Sequence, residues 1–198
     1  MLEAFVALVV ATAAMLGSPG PAPLALAATS ASYGIKNALA FYFGILAGLF
    51  AAIIGAIFGV SILIESHPNA RLVLQVIASL YLLFVTYKIA TGPIVTANEQ
   101  QKNCPTFFDG FILNLLNPKA YAAFFAIFSH FVLPFANSQL SILVTAIVCF
   151  VVAVIVDYVW LAAGAVLANQ FADPTRGRVL RVCFAGLILV MVIASFLL

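Results

Sequence analysis

Six long apolar segments follow one another along the chain, separated by short clusters of charged and turn-forming residues. They cover residues 2–33, 37–64, 70–91, 107–133, 139–170 and 178–197. Between Glu3 and Lys36 lie 32 uncharged residues, and between Lys36 and Glu65 another 28. Because about 20 apolar helical residues cross a bilayer, each segment is long enough to span one. The pattern predicts an all-α polytopic membrane protein with six transmembrane helices in one domain, residues 1–198.

Composition supports a membrane protein and excludes several other classes. The chain is 66% hydrophobic and 7% charged, with a mean hydropathy of +1.23, whereas soluble domains carry about 25% charged residues. A net charge of +2 without a basic patch gives no sign of a nucleic-acid partner. The three cysteines (Cys104, Cys149 and Cys183) lack metal-site spacing, and no nucleophile elbow, phosphate loop or dinucleotide motif occurs. We therefore expect no cofactor, no metal and no enzymatic activity.

The positive charges predict the orientation in the bilayer. Six of them lie in or beside the loops that follow segments one, three and five: Lys36, Lys88, Lys102, Arg176, Arg178 and Arg181. The other side holds only Arg71. The positive-inside rule places both termini on the periplasmic or extracellular side. We expect residues 1–28 to be retained rather than cleaved as a signal peptide, because their start carries Glu3 and no lysine or arginine.

Two of the apolar segments contain a signal for a helix break followed by a restart. In "GSPGP", Ser18 is predicted to cap a new helix that begins at Pro19, with Gly20 and Pro21 behind it. In "NLLNPKAYAAFF", Asn117 caps and Pro118 begins the helix. A restart inside the membrane leaves unpaired N–H groups and a positive dipole end, which together suit a carboxylate. The alternative is a pair of proline kinks with a structural role only.

Two ionisable residues fall well inside predicted spans. Lys119 directly follows the second break, and Asp157 lies midway through segment five. Charges at that depth are costly and normally face a partner or a cavity. They either form a structural ion pair or bind the charged groups of a zwitterion, with Asp157 also able to relay a proton. Asn114 and Tyr158 are candidates for the polar lining, although both are equally compatible with interhelical packing.

The chain also resembles two copies of one unit, about 1–97 and 98–198. Pro19 and Pro118 are 99 residues apart, and segments three and six begin with similar residues at Arg71 and Arg178. With three spans in each copy, the second must enter from the opposite side of the membrane. This predicts two inverted three-helix repeats, with helices one and four broken near the midplane. Segment two carries a face of small residues, predicted to be a close-packing seam: Gly44, Gly48, Ala52, Gly55 and Gly59.

Several of these stretches resemble the lysine exporter and homoserine/threonine exporter (LysE/RhtB) amino-acid efflux family. They are "GSPGP", "YGIKNALAFYFGILAG", "FFDGFILNLLNPKAYAAFF" and "DYVWLAAGA", in the same order and spacing over nearly the whole chain. The resemblance implies amino-acid export from the bacterial cytoplasm, driven by the proton gradient. It also implies that seven residues occupy characteristic family positions: Pro19, Gly20, Pro21, Asn117, Pro118, Lys119 and Asp157. The chain departs from the family in a short loop after segment three and in lacking a second intramembrane acid beside Asp157.

The predicted function is secondary active export of small amino acids across the bacterial inner membrane, by proton antiport and alternating access. The substrate carboxylate would lie at the paired restarts near Lys119, and the amino group or a proton at Asp157. The expected partners are an amino acid, protons and the lipid bilayer, and a homodimer is left open. The alternatives are an exporter of a metal cation or another small solute, and a membrane scaffold protein that transports nothing.

Overall fold

The structure, a computed structural model, describes residues 1–58 and 104–166 together with positions 80, 87, 178, 179, 182, 183, 186 and 190. The two long described ranges are helical, with no strand between their ends. Their six helices are α1 (Leu2–Gly17), α2 (Pro21–Tyr33), α3 (Ile35–Ile57), α4 (Phe107–Leu115), α5 (Pro118–His130) and α6 (Ser138–Val166). Predicted segments three and six lie outside the described residues, apart from single positions within them.

Four of the six predicted spans correspond to described helices. By length and hydropathy, α3 and α6 are each able to cross a membrane. The pairs α1–α2 and α4–α5 each pass the same test together, although they bend by 65° and 55° at their breaks. The helical prediction and the positions of the two breaks are therefore confirmed for this part of the chain, which has two to four candidate membrane spans.

Helix α6 has the inside-out polarity of a membrane span. One stripe at four-residue spacing is exposed and entirely aliphatic: Leu143, Ile147, Val151, Ile155 and Val159. The opposite stripe is buried and consists largely of small or polar residues: Ser141, Thr145, Cys149, Ala153, Asp157 and Leu161. Since large apolar side chains face outward along the whole helix, lipid is the medium that this surface suits.

Glycines set the closest helix contacts. A Cβ added at Gly44 would lie 1.9 Å from the Phe107 carbonyl oxygen, and one at Gly110 would lie 2.2 Å from that of Phe41. The seam predicted for segment two is therefore confirmed at its start, where α3 packs against α4. A similar contact joins α6 to α2, because a Cβ at Gly164 would lie 2.1 Å from the Ala27 carbonyl oxygen. Each broken span thus packs backbone to backbone on one continuous helix.

The structure corrects the prediction for the first break and confirms it for the second. Ser18 ends α1 rather than starting α2, and its hydroxyl donates backward to the Met15 carbonyl oxygen at 3.1 Å. The new helix begins at Pro21, with Gly20 as an N-cap that has no side chain to contribute. At the second break Asn117 is the N-cap and Pro118 the first helical residue, as predicted.

Candidate functional site

The second break is held by side chains of its own span. The Asn117 side-chain oxygen accepts a hydrogen bond from the Lys119 backbone N–H at 3.1 Å, which caps α5. The Asn117 amide donates to the Asn114 side-chain oxygen at 3.2 Å, and the Asn114 amide donates to the Ile45 carbonyl oxygen of α3 at 2.9 Å. Both asparagines are almost fully buried. Their hydrogen bonds fix the shape of the break and attach it to α3.

The first break has no such internal support, and its carbonyl groups bind side chains from other spans. The Trp160 indole N–H on α6 donates to the Gly17 carbonyl oxygen at 3.1 Å. The Lys119 ammonium group on α5 donates to the carbonyl oxygens of Ser18 and, at 3.5 Å, Pro19. The two breaks therefore meet, and Lys119 is the residue that joins them.

Gly20 provides the space for this contact. Its backbone is extended (φ −169°), so no special conformation requires a glycine there. A Cβ at Gly20, however, would lie 3.0 Å from both Cδ and Nζ of Lys119. The absence of a side chain at Gly20 thus leaves room for the Lys119 side chain.

Asp157 approaches the same place from α6. It is 6% exposed, and no described residue donates a hydrogen bond to its carboxylate. It lines a hollow between the two breaks and α6, together with Leu16, Ala22, Pro23, Leu49, Asn114, Asn117, Lys119, Ala120 and Ala153. The hollow measures about 20 Å³, enough for roughly one water molecule. It is therefore closed to a larger ligand in this conformation.

Lys119 and Asp157 share the hollow without touching. Each lies within range of the other's charge, yet neither an ion pair nor a hydrogen bond joins them in the described part of the chain. The ammonium group binds the carbonyl end of α1, and the carboxylate has no hydrogen-bond or ion-pair partner among the described residues. A buried carboxylate without a partner is expensive in a membrane protein. This arrangement leaves a cation-binding group available inside the hollow.

The helix starts offer fewer N–H groups than the sequence argument expected. In the first turn of α2, Pro21 and Pro23 have no N–H, so only Ala22 retains a donor. In the first turn of α5, Pro118 has none, and the Lys119 and Ala120 N–H groups both bond to Asn117. The expectation of several unpaired donors at both restarts is therefore wrong. The Lys119 ammonium, with three protons, is the stronger anion-binding group here.

Not every candidate residue reaches the hollow. Asn114, Asn117, Lys119 and Asp157 line it, whereas Ser18, Pro19 and Pro118 are exposed and Gly20 and Pro21 are buried beside it. Tyr158 lies outside the lining, since it is 51% exposed and its ring contacts that of Tyr42. Sequence reasoning missed Trp160, although its position three residues after Asp157 puts both on one helix face.

Comparison with known proteins identifies the family of this chain. The family model described as LysE type translocator matches residues 13–198. The chain belongs to the LysE family. Members of the LysE family are membrane transporters, so this bacterial membrane protein is a transporter rather than an enzyme. The family predicted from the sequence motifs is confirmed.

Individual relatives in the LysE family are distant in sequence. The threonine efflux protein of Escherichia coli K12 is 30% identical over 140 residues, which cover 67% of this chain and 68% of that protein. The threonine efflux protein of Salmonella typhi is 28% identical over the same length. An uncharacterized membrane protein of Pseudomonas aeruginosa is 29% identical over 168 residues, or 80% of this chain and 78% of that protein. No solved structure matches the chain.

Proposed function

We propose that this LysE family member exports small amino acids from the bacterial cytoplasm by proton antiport and alternating access. The observation that carries the proposal is that one hollow at the meeting point of two helix breaks is lined by the Lys119 ammonium group and by the Asp157 carboxylate, which has no partner among the described residues. A zwitterion presents the complementary pair of charges. Its carboxylate would bind Lys119, and its amino group, or a proton in its absence, would bind Asp157.

The rest of the lining supports a small, uncharged substrate side chain. Besides the two charges and the two asparagines, the hollow is lined by alanine, leucine and proline residues. Apolar walls give no partner to a second charge on the substrate. The threonine efflux proteins to which the chain is similar are named for an amino acid of this kind.

The size of the hollow supports alternating access. Room for about one water molecule is too little for an amino acid, so substrate enters only after the surrounding helices move. Two broken spans suit that movement, and the helices that follow the breaks, α2 and α5, have 13 residues each. We therefore retain the two inverted repeats, with both termini outside the cytoplasm, as part of the proposal.

Transport by purified protein in liposomes tests the proposal. A panel of radiolabelled amino acids is offered with and without an imposed proton gradient. We expect gradient-dependent movement of small uncharged amino acids, reduced at least about 100-fold in Asp157→Asn and in Lys119→Ala. Glu3→Gln removes a carboxylate far from the hollow and is the matched control, with unchanged transport expected.

Two outcomes would contradict the proposal. If no amino acid in the panel moves under the gradient, the protein is not an amino-acid antiporter. If Asp157→Asn and Lys119→Ala both transport at the rate of the unmodified protein, the two charges have no part in the mechanism. A folded protein that moves nothing in the panel and tolerates both changes would instead fit the membrane scaffold considered above.

A further inference from the structure

Two hydroxyl groups on α2 are buried without a hydrogen-bond partner. Thr29 is 2% exposed and Ser30 is 0% exposed, and neither side-chain oxygen has a partner within hydrogen-bonding distance among the described residues. A hydroxyl inside a helix ordinarily donates back to the carbonyl group one turn earlier. Here that bond is absent, so each hydroxyl remains desolvated and unsatisfied in this conformation, at a cost in free energy.

The two hydroxyls continue the face of α2 that lines the hollow. Ala22 and Pro23 belong to the lining, and Thr29 and Ser30 follow each of them by seven residues. Seven residues are close to two helical turns. Each hydroxyl therefore lies on the same side of α2 as the lining residue two turns before it, about 10 Å farther along the helix. Ala28, the residue directly before them, lies on the opposite side of α2 and has no polar side chain. The unsatisfied hydroxyls therefore lie on the side of α2 that adjoins the hollow, where a route to the hollow along α2 would pass.

Helix α2 is also bounded so that it can move as a unit. It begins after the first break, which has no internal cap, and it ends at Gly34, whose φ of +79° a residue with a side chain rarely adopts. Its own Leu24 and Leu26 belong to an apolar cluster that also includes Phe41 of α3 and Leu161 of α6. Movement of α2 out of this cluster would bring water or a polar solute to its buried face.

We propose that Thr29 and Ser30 line the route between the hollow and the membrane surface at which α2 ends, and that their hydroxyls bind the passing amino acid or its water in the open conformation. This inference rests on the proposed transport function. In the orientation proposed above, that surface is the cytoplasmic one, from which substrate enters. The unsatisfied hydroxyls destabilise the closed conformation and so favour its opening.

Removal of each hydroxyl tests the energetic part of the proposal. Thr29→Val and Ser30→Ala keep the side-chain shape or shrink it by one atom. We expect thermal stability to be unchanged or higher and transport to be about threefold to tenfold slower for each variant. Thr145→Val is the matched control, because the Thr145 hydroxyl accepts a hydrogen bond from the Leu133 N–H at 3.0 Å. That variant should lose thermal stability.

Thiol labelling tests the route itself. In a background with Cys104, Cys149 and Cys183 replaced, Thr29→Cys and Ser30→Cys are compared with Ala28→Cys, which is equally buried on the opposite face. A membrane-impermeant methanethiosulfonate reagent should modify positions 29 and 30 faster during transport than at rest, and position 28 slowly in both conditions.

The outcomes separate this inference from the function on which it rests. If the unmodified protein moves no amino acid, the proposed function fails and the route fails with it. If transport is intact but position 28 is labelled as fast as positions 29 and 30, the route alone is wrong. The same conclusion follows if Thr29→Val and Ser30→Ala transport at the unmodified rate.

Discussion

The two helix breaks look alike in the sequence but are built differently. The second break is stabilised from within its own span, where the Asn117 amide donates to the Asn114 side-chain oxygen and the Asn117 side-chain oxygen accepts from the Lys119 N–H. Its first helix, α4, also starts with a capping box between Thr106 and Asp109. At the first break, α2 starts at Gly20 without a side-chain cap, and the Ser18 hydroxyl bonds only backward, to the Met15 carbonyl oxygen in the last turn of α1. Its carbonyl groups depend on Trp160 and Lys119, which belong to two other spans.

This difference predicts separate roles for the two breaks in the proposed transport cycle. A break that carries its own hydrogen bonds keeps its shape when its neighbours move, so the second one suits a fixed support for Lys119. A break whose hydrogen bonds come from other spans changes its shape when those bonds are lost. The first break therefore suits a moving part. Binding of a substrate carboxylate by Lys119 would withdraw the ammonium group from the Ser18 carbonyl. Substrate binding would then be coupled directly to release of the first break.

The largest effect is expected where the second broken span packs against α3. Gly44→Ala places a methyl group 1.9 Å from the Phe107 carbonyl oxygen, which is backbone and cannot rotate away. Overpacking costs about 1–3 kcal/mol and occasionally more, and a clash with backbone lies at the upper end of that range. We therefore expect a large loss of folded protein, measured by size-exclusion chromatography in detergent. Gly186→Ala is the control, because no atom lies within 4 Å of the added Cβ. Equal yields for both variants would show that the α3–α4 seam tolerates separation and is not a rigid support.

A smaller effect separates the internal cap of the second break from the uncapped first break. Asn117→Ala removes the cap of α5 and the partner of Asn114, which should lower stability by about 1–2 kcal/mol. Ser18→Ala removes only an exposed hydroxyl bonded within α1, so a change of less than about 0.5 kcal/mol is expected. Thermal unfolding of both variants in detergent measures the contrast. A Ser18→Ala loss as large as that of Asn117→Ala would restore Ser18 as the cap of α2.

Hydropathy was sufficient to predict the described spans, because a bilayer imposes length and apolarity on every crossing helix. The positions of the breaks were also predictable, since proline removes a backbone donor wherever it occurs. The choice between Pro19 and Pro21 as the first residue of α2 was not predictable. Both are preceded by a possible cap. In the structure α2 begins at Pro21, and the Ser18 carbonyl group accepts from Lys119, a contact between residues 101 apart.

The candidate site likewise has features that the sequence could predict and features that it could not. Lys119 and Asp157 could be predicted as candidate site residues because a charge inside a membrane is costly and normally faces a partner or a cavity. Tyr158 was grouped with Asp157 by adjacency, although consecutive residues on a helix point about 100° apart, and it lies outside the lining. Helical spacing alone would have favoured Trp160 over Tyr158. The unpaired state of Asp157 and the few free N–H groups at the helix starts required the three-dimensional arrangement, since both depend on which partners arrive from other spans.

The smallest expected effect tests whether the first break depends on hydrogen-bond donors from other spans. Trp160→Phe keeps an aromatic ring but removes the donor to the Gly17 carbonyl oxygen. Tyr42→Phe is the matched control, because it removes one hydrogen bond from α3 to the Val154 carbonyl oxygen of α6, at 2.9 Å. A single hydrogen bond between membrane helices contributes about 0.6 kcal/mol and at most about 1.7 kcal/mol, so both variants should show similar small losses in thermal stability. Only Trp160→Phe should change transport kinetics, since only its lost bond is at the break that is proposed to move. If both variants transport at the same rate in liposomes, the first break does not depend on Trp160, and Lys119 alone remains to hold the end of α1.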